Sequence, residues 1–268
     1  MASLVRRTRP FVLRRAKDAI LKELPPKTEA DVYLELTEKQ KSLYQHTVAQ
    51  VRSSIEDAYR SKTQGQAQII ALTAIMKLRQ LCVSPRLLDR ASKDPSPKLD
   101  FVIGKLKELR DEGHSALVFS QFTSFLDLLE EELKASELAF SRLDGSTAVK
   151  KRKHLVEGFQ KGEAPPIFLL SLKAGGQGLN LTRASYVFHL DPWWNPAVEN
   201  QASDRAHRIG QIQKVSITRV LMRHTIEEKM MELKKRKLAL YKAVLEDATR
   251  AGKGFSISKS DFDFLLGG

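Results

Sequence analysis

The sequence has one cysteine, Cys82, among 268 residues. That excludes an internal disulfide and a cysteine-based zinc site, and suits a reducing compartment. Cys82 is expected to pack as a small apolar residue. No apolar run approaches a membrane span, since Ile69–Met76 and Pro165–Leu172 are of core size, so no membrane partner is expected. There is no G-x-x-x-x-G-K-S/T stretch, the loop whose backbone amides cradle a triphosphate, so the chain cannot hold one by itself. Acidic residues are also short in number, 32 against 45 lysines and arginines, for a formal charge of +13. Such an excess favours a polyanionic partner, of which nucleic acid is the commonest. Internal repeats are absent.

What is present falls into two rhythms. Residues 4–26 read as basic helical pieces broken by Pro10 and closed by Pro25-Pro26. The arginine-rich start has the look of a transit peptide, but Thr8–Arg15 has a better explanation below. Asp31–Leu36 alternates like a half-exposed strand. Thr37 with Gln40 forms a capping-box pattern opening a helix to about Arg60. Ser61–Gln68 reads as a loop, and Ile69–Leu81 as a second helix. Asp94-Pro95-Ser96-Pro97 is the clearest linker. Beyond it, apolar strands at Ala116–Ser120, Ala139–Leu143, Ile167–Leu170, Tyr186–Leu190 and Val215–Leu221 alternate with helices at Lys98–Arg110, Phe122–Ser136 and Thr147–Lys161. Strands without polar alternation predict an α/β fold with a parallel sheet covered by helices on both faces. A lysine-rich helix over Thr225–Leu245 and a tail ending in Phe262, Phe264, Leu265 and Leu266 follow. The expected segments are 1–97, 98–221 and 222–268.

In an open parallel sheet, ligands bind beyond the carboxyl ends of the strands. The unusual residues sit there: Ser120-Gln121, then Asp144-Gly145-Ser146-Thr147, then Ser171 to Asn180, then Asp191-Pro192-Trp193-Trp194-Asn195-Pro196. Ser146 or Thr147 can cap the next helix. The Gly175–Gly178 loop, next to Lys173, lets main chain approach an anion. Gln201, Arg205 and Arg208 fall at helical spacing, as one polar stripe. Two guanidiniums at one helix end suit phosphate; a salt-bridged surface helix is the plainer alternative. Trp193 and Trp194 taken alone suggest core, and His207 packing or hydrogen bonding, because no second ligand lies at metal spacing. Asp111-Glu112-Gly113-His114 has the form of a magnesium-binding carboxylate motif, but an amphipathic helix precedes it where such a motif needs a strand. It reads as a helix-ending turn.

Read in order, the motifs resemble the carboxyl-terminal half of a Swi/Snf-type ATP-dependent DNA translocase of helicase-like superfamily two. Pro10–Arg15 and the following LPPKTEADVYLELTEKQKSLY resemble the segment joining the two motor lobes, and LRQLCVSP (Leu78–Pro85) the helical subdomain. ALVFSQF (Ala116–Phe122) is similar to motif IV and LDGST (Leu143–Thr147) to motif IVa. Leu169–Pro196 is similar to motif V with its extension, and QASDRAHRIGQ (Gln201–Gln211) to motif VI.

The resemblance implies a second RecA-like lobe with an amino-terminal helical subdomain and a long carboxyl-terminal brace helix. It implies that Arg205 and Arg208 are arginine fingers toward the γ-phosphate, with Gln201, Gly176 and Gly178 near the nucleotide. Ser171, Lys173, Gly145, Ser146, Thr147 and Trp194 would face duplex DNA, as would Ser120 and Gln121 of motif IV. ATP with magnesium would be bound mainly by an amino-terminal RecA-like lobe of the same protein, which this sequence does not contain. The expected partners are that lobe, duplex DNA and a DNA-bound protein to be moved. The expected location is the bacterial nucleoid or the nucleus. The expectation is half an enzyme, inactive alone; the alternative is a stand-alone basic DNA-binding or protein-interaction module with no motor activity.

Overall fold

The computed structural model describes residues 24–172, 179–193, 195–246 and 259–266. Six strands form one sheet: β1 (Lys27–Leu34), β2 (Ala116–Ser120), β3 (Phe140–Leu143), β4 (Ile167–Ser171), β5 (Tyr186–His189) and β6 (Val215–Met222). Their spatial order is β1-β6-β5-β2-β4-β3, and every pair is parallel. The central strands β2 and β4 are buried at every residue, as continuous apolar runs in a two-sided sheet must be.

Alternation along those strands feeds two cores. Val118 and Leu169 pack on one face with Val102, Leu106, Phe125, Leu126 and Leu129. These come from α3 (Pro97–Asp111) and α4 (Thr123–Ala135). Leu117, Phe119, Phe168 and Leu170 face the other way, onto Phe159 of α5 (Val149–Lys161) and Ala202 of α6 (Pro196–Ser203). A third core belongs to helices: α1 (Glu38–Ser61), α2 (Gln64–Val83), α7 (Ile226–Glu246) and α8 (Lys259–Leu266). There Tyr44, Ile55, Ile75, Leu78, Met230 and Phe262 meet. The carboxyl-terminal apolar residues thus form a short helix, with Arg52 donating to the Leu266 carbonyl at 2.8 Å.

Several boundaries differ from the sequence reading for local reasons. The strand expected at Asp31–Leu36 starts at Lys27, and it pairs along its whole length with β6. The sheet therefore draws on chain from both sides of the Pro95–Pro97 linker. The loop expected over Ser61–Gln68 is mostly helix, because Thr63 and Gln66 form a reciprocal capping box. At α1, Thr37 accepts from the Gln40 amide as expected, but the Gln40 side chain donates to the Leu81 carbonyl, 2.7 Å away in the core. Ser146 and Thr147 do not cap α5; its N-cap is Ala148. Asp111-Glu112-Gly113 ends α3, with Gly113 at φ +74° and the His114 amide bonded to the Leu109 carbonyl. Gly162, at φ +81°, closes α5 in the left-handed conformation.

Candidate functional site

All six strands run the same way, so their carboxyl ends share one edge of the sheet. Segment Leu190–Trp193, following β5, crosses the middle of that edge, and it is tethered residue by residue. The Lys98 ammonium donates to the Leu190 carbonyl at 2.7 Å and to both carboxylate oxygens of Glu227, also at 2.7 Å. Lys98 and Glu227 are both fully buried. Asp191, equally buried, accepts from the Ser120 hydroxyl at 2.5 Å and from the Gln121 amide at 3.2 Å. Burial pushes its pKa up to about 6, against the pull of Arg79 and the Ser120 hydrogen bond. Arg79 donates to the Pro192 carbonyl at 2.6 Å and to Gln121 Oε1 at 3.1 Å. Its guanidinium lies over the rings of Phe122 and Trp193, 5.6 and 5.7 Å from their centroids. Finally the Trp193 amide donates to Glu199 Oε1 at 2.7 Å.

Glu199 is itself buried, and it binds Arg219 of β6 and Lys234 of α7. Burial opposes its ionisation, yet Lys234 and the Trp193 amide hold its pKa below the ordinary value. Arg219 continues to Asp31 and Glu29 of β1. His189, stacked on Phe119 and bonded to Ser203, is pushed down to about 4 by burial, so it is neutral at pH 7.

The arginine stripe is not one helix face. Helix α6 stops at Ser203, and residues 204–210 are successive turns ending at Gly210 with φ +97°. Gln211 fixes them by donating to the carbonyls of Thr182, Ala184 and Ala206, at 3.0, 2.9 and 3.0 Å. The turns split the pair. Arg205 is 6% exposed, with its guanidinium 5.7 Å from the Phe119 ring centroid, while Arg208 and Gln201 are exposed. Burial lowers the Arg205 pKa, but a guanidinium stays charged. His207 bonds the Pro25 carbonyl at 2.8 Å.

Ser120, expected to face DNA, is fully buried with its hydroxyl engaged by Asp191; only its neighbour Gln121 is half-exposed. Ser171 is buried at the end of β4. Gly145 and Ser146 are exposed and Thr147 half-exposed, at the sheet margin beyond β3. The hydroxyls there are engaged, Ser146 donating to Asp144 and Thr147 accepting from the Asp144 amide. Lys173, Gly176, Gly178 and Trp194 lie outside the described residues, as does Pro10–Arg15. Among the described residues, no three His, Cys, Asp or Glu side chains converge as a metal site. Sequence reasoning missed Arg79, Lys98, Glu199 and Glu227. Each is a charge in phase with a helix's buried face, as Lys98 is with Val102, Leu106 and Leu109.

Among the described residues, the donors at this rim that suit a phosphate are guanidiniums, with no glycine-lysine cradle beside them. The sequence matches the helicase conserved C-terminal domain over residues 98–210 and the SNF2-related domain over residues 1–87. It is 36% identical to an uncharacterised ATP-dependent helicase of Mycoplasma genitalium, across 94% of this chain and 24% of that protein. The SWI2/SNF2 ATPase core of Sulfolobus solfataricus, solved in complex with double-stranded DNA, is similar at 30% identity. It has a TM-score of 0.72, over 99% of this chain and 56% of that one. The isolated C-terminal domain of the Sulfolobus solfataricus SWI2/SNF2 ATPase gives 28% identity and a TM-score of 0.70, over 90% of this chain and 98% of that one. The chain belongs to the Swi/Snf family of helicase-like ATPases and corresponds to its carboxyl-terminal, second RecA-like lobe. It spans about a quarter of the length of the curated relatives it matches.

Proposed function

We propose that this chain is one jaw of a motor that hydrolyses ATP and translocates on duplex DNA, displacing or remodelling proteins bound there. The observation that carries the reading is the split arginine pair beside a rim with no triphosphate cradle of its own. Arg208 is exposed, and so free to engage a phosphate presented by another lobe. Arg205 is buried against the Phe119 ring, where it keeps a second positive charge in a low-dielectric setting. Magnesium and the triphosphate would be held mainly by an amino-terminal RecA-like lobe. Gln201, Gly176 and Gly178 would line the near side. ATP supplies the phosphoryl group, and the guanidiniums stabilise the charge that builds on it; a trans-acting arginine in related NTPases is worth about a thousandfold or more in rate.

DNA would run past Gly145, Ser146 and Thr147 toward Lys173 and Trp194, with Ser171 buried beneath that path. These are backbone contacts without sequence preference, and their strength is salt-dependent. The net charge of +13 and the likeness to a core solved with duplex DNA support that path. The helix α7 would brace against the other lobe. The test supplies the missing lobe, joined or in trans, and compares wild type with Arg208→Ala. Loss of ATPase with DNA affinity kept within about twofold, well below the 1.4 kcal/mol that a tenfold change represents, is the expected result. If the substitution abolishes DNA binding and no ATPase appears with the lobe present, the chain is a binding module.

A further inference from the structure

The tryptophan segment is held by the sheet and, from the side, by the helical subdomain; among the described residues Arg79 is the side chain of α2 that reaches it directly, while α7 acts on it through Glu199 and Lys98. Arg79 is 3% exposed and belongs to α2, outside the sheet. One arm of its guanidinium takes the Pro192 carbonyl, the other takes Gln121 Oε1, and its plane lies near Trp193. By binding the amide oxygen of Gln121, it also fixes which way that amide points. Gln121 Nε2 is buried and has no acceptor among the described residues. A buried donor left without an acceptor costs about 1–3 kcal/mol, so the Gln121 amide keeps this orientation against a penalty that the Arg79 hydrogen bond helps to offset.

We propose that Arg79 is a positioning residue. Its two-armed grip sets the tryptophan segment and the Gln121 amide in the arrangement that engages duplex DNA, and so makes that engagement depend on the seating of α2. The DNA part of this rests on the function proposed above. A guanidinium suits this site because its two NH2 groups are set apart in one rigid plane and reach the Pro192 carbonyl and Gln121 Oε1 together; an ammonium at this position supplies the charge from a single nitrogen on a flexible stem, without that fixed spacing. That distinction separates positioning from mere charge balance against Asp191.

Trp193 and Trp194 are the chain's only tryptophans, so emission excited selectively from tryptophan, apart from the five tyrosines, reports on these two neighbouring residues. Two variants of the full chain serve. Arg79→Lys retains a buried cation beside Asp191. Arg79→Met combined with Asp191→Asn removes both charges, so that no bare carboxylate is left to unfold the protein. Both are expected to keep wild-type far-ultraviolet circular dichroism, to shift the tryptophan emission to the red, and to weaken binding of a short duplex about tenfold, the worth of one hydrogen bond to a charged group. Wild-type emission and affinity in Arg79→Lys would overturn the proposal and leave Arg79 a counterion. If wild type binds no duplex at all, the DNA reading fails, and the emission of the two variants still decides whether Arg79 positions the segment.

Discussion

Lys98→Met should be among the most damaging single changes to this fold, although it removes no apolar contact. The Lys98 ammonium makes three hydrogen bonds of 2.7 Å, two to Glu227 and one to the Leu190 carbonyl, and both charges are fully buried. Methionine replaces the aliphatic stem without the terminal nitrogen and, among the described residues, leaves the Glu227 carboxylate with the Met222 amide as its remaining donor. Breaking one partner of such a pair costs about 3–5 kcal/mol. A domain of this size has a total stability of roughly 5–15 kcal/mol, so the midpoint should fall by on the order of 10 °C. Glu227→Met should cost a similar amount. The double variant removes both charges but still strips Leu190 and Met222 of their partners, at about 1–3 kcal/mol each. It should therefore cost about as much as one single rather than the sum of both, a coupling of about 3–5 kcal/mol. Urea unfolding at pH 7, followed by circular dichroism with constant m-values, measures all four corners of the cycle. Salt should leave the coupling unchanged, because a buried pair is little screened. Additive singles, or singles costing under about 1 kcal/mol, would mean the pair is solvated and would refute the reasoning.

Three further outcomes follow from the same geometry. Asp191 has its pKa raised to about 6 from 3.8 by burial, so the folded state binds the extra proton between those values. Its contribution is favourable at about pH 4 and is lost as pH rises through 6; the stability of wild type relative to Asp191→Asn should fall by about 3 kcal/mol across that window, and a flat difference would contradict it. Gly162→Ala meets no atom closer than Arg183 Cζ at 3.9 Å, so only the left-handed φ of +81° is penalised; a loss of about 1 kcal/mol is expected in thermal unfolding. Phe262→Ala, at a fully buried site, should release α8 from α1 and α7, read as faster amide exchange over residues 259–266 with the central sheet still protected.

The parallel sheet was legible because its central strands, Ala116–Ser120 and Ile167–Ser171, are nearly continuous apolar runs buried at every residue, the pattern of strands covered on both faces. The strand ends were legible because glycine, proline and hydroxyl residues cluster there. The arginine pair misled in its geometry. Spacing placed Arg205 and Arg208 on one helix, but Gln211, six residues beyond Arg205, fastens residues 204–210 into turns through carbonyls contributed by residues 182–206. No local pattern carries that. The tethers of the tryptophan segment were partly readable. Arg79 lies in phase with Ile75 and Cys82, and Glu227 with Met230 and Met231, all on buried faces. A charge in that phase needs a buried partner, but which partner is a matter of topology. Lys98 and Glu227 are 129 positions apart, and only the strand order brings them together.

The central claim is that catalysis here needs a nucleotide held by another lobe. The most direct measurement is steady-state ATP hydrolysis with saturating duplex DNA, for this chain alone and for this chain with the amino-terminal RecA-like lobe restored. Activity only in the restored protein, abolished by Arg208→Ala, is the predicted result. DNA-stimulated hydrolysis by the chain alone that co-purifies with it would contradict the account.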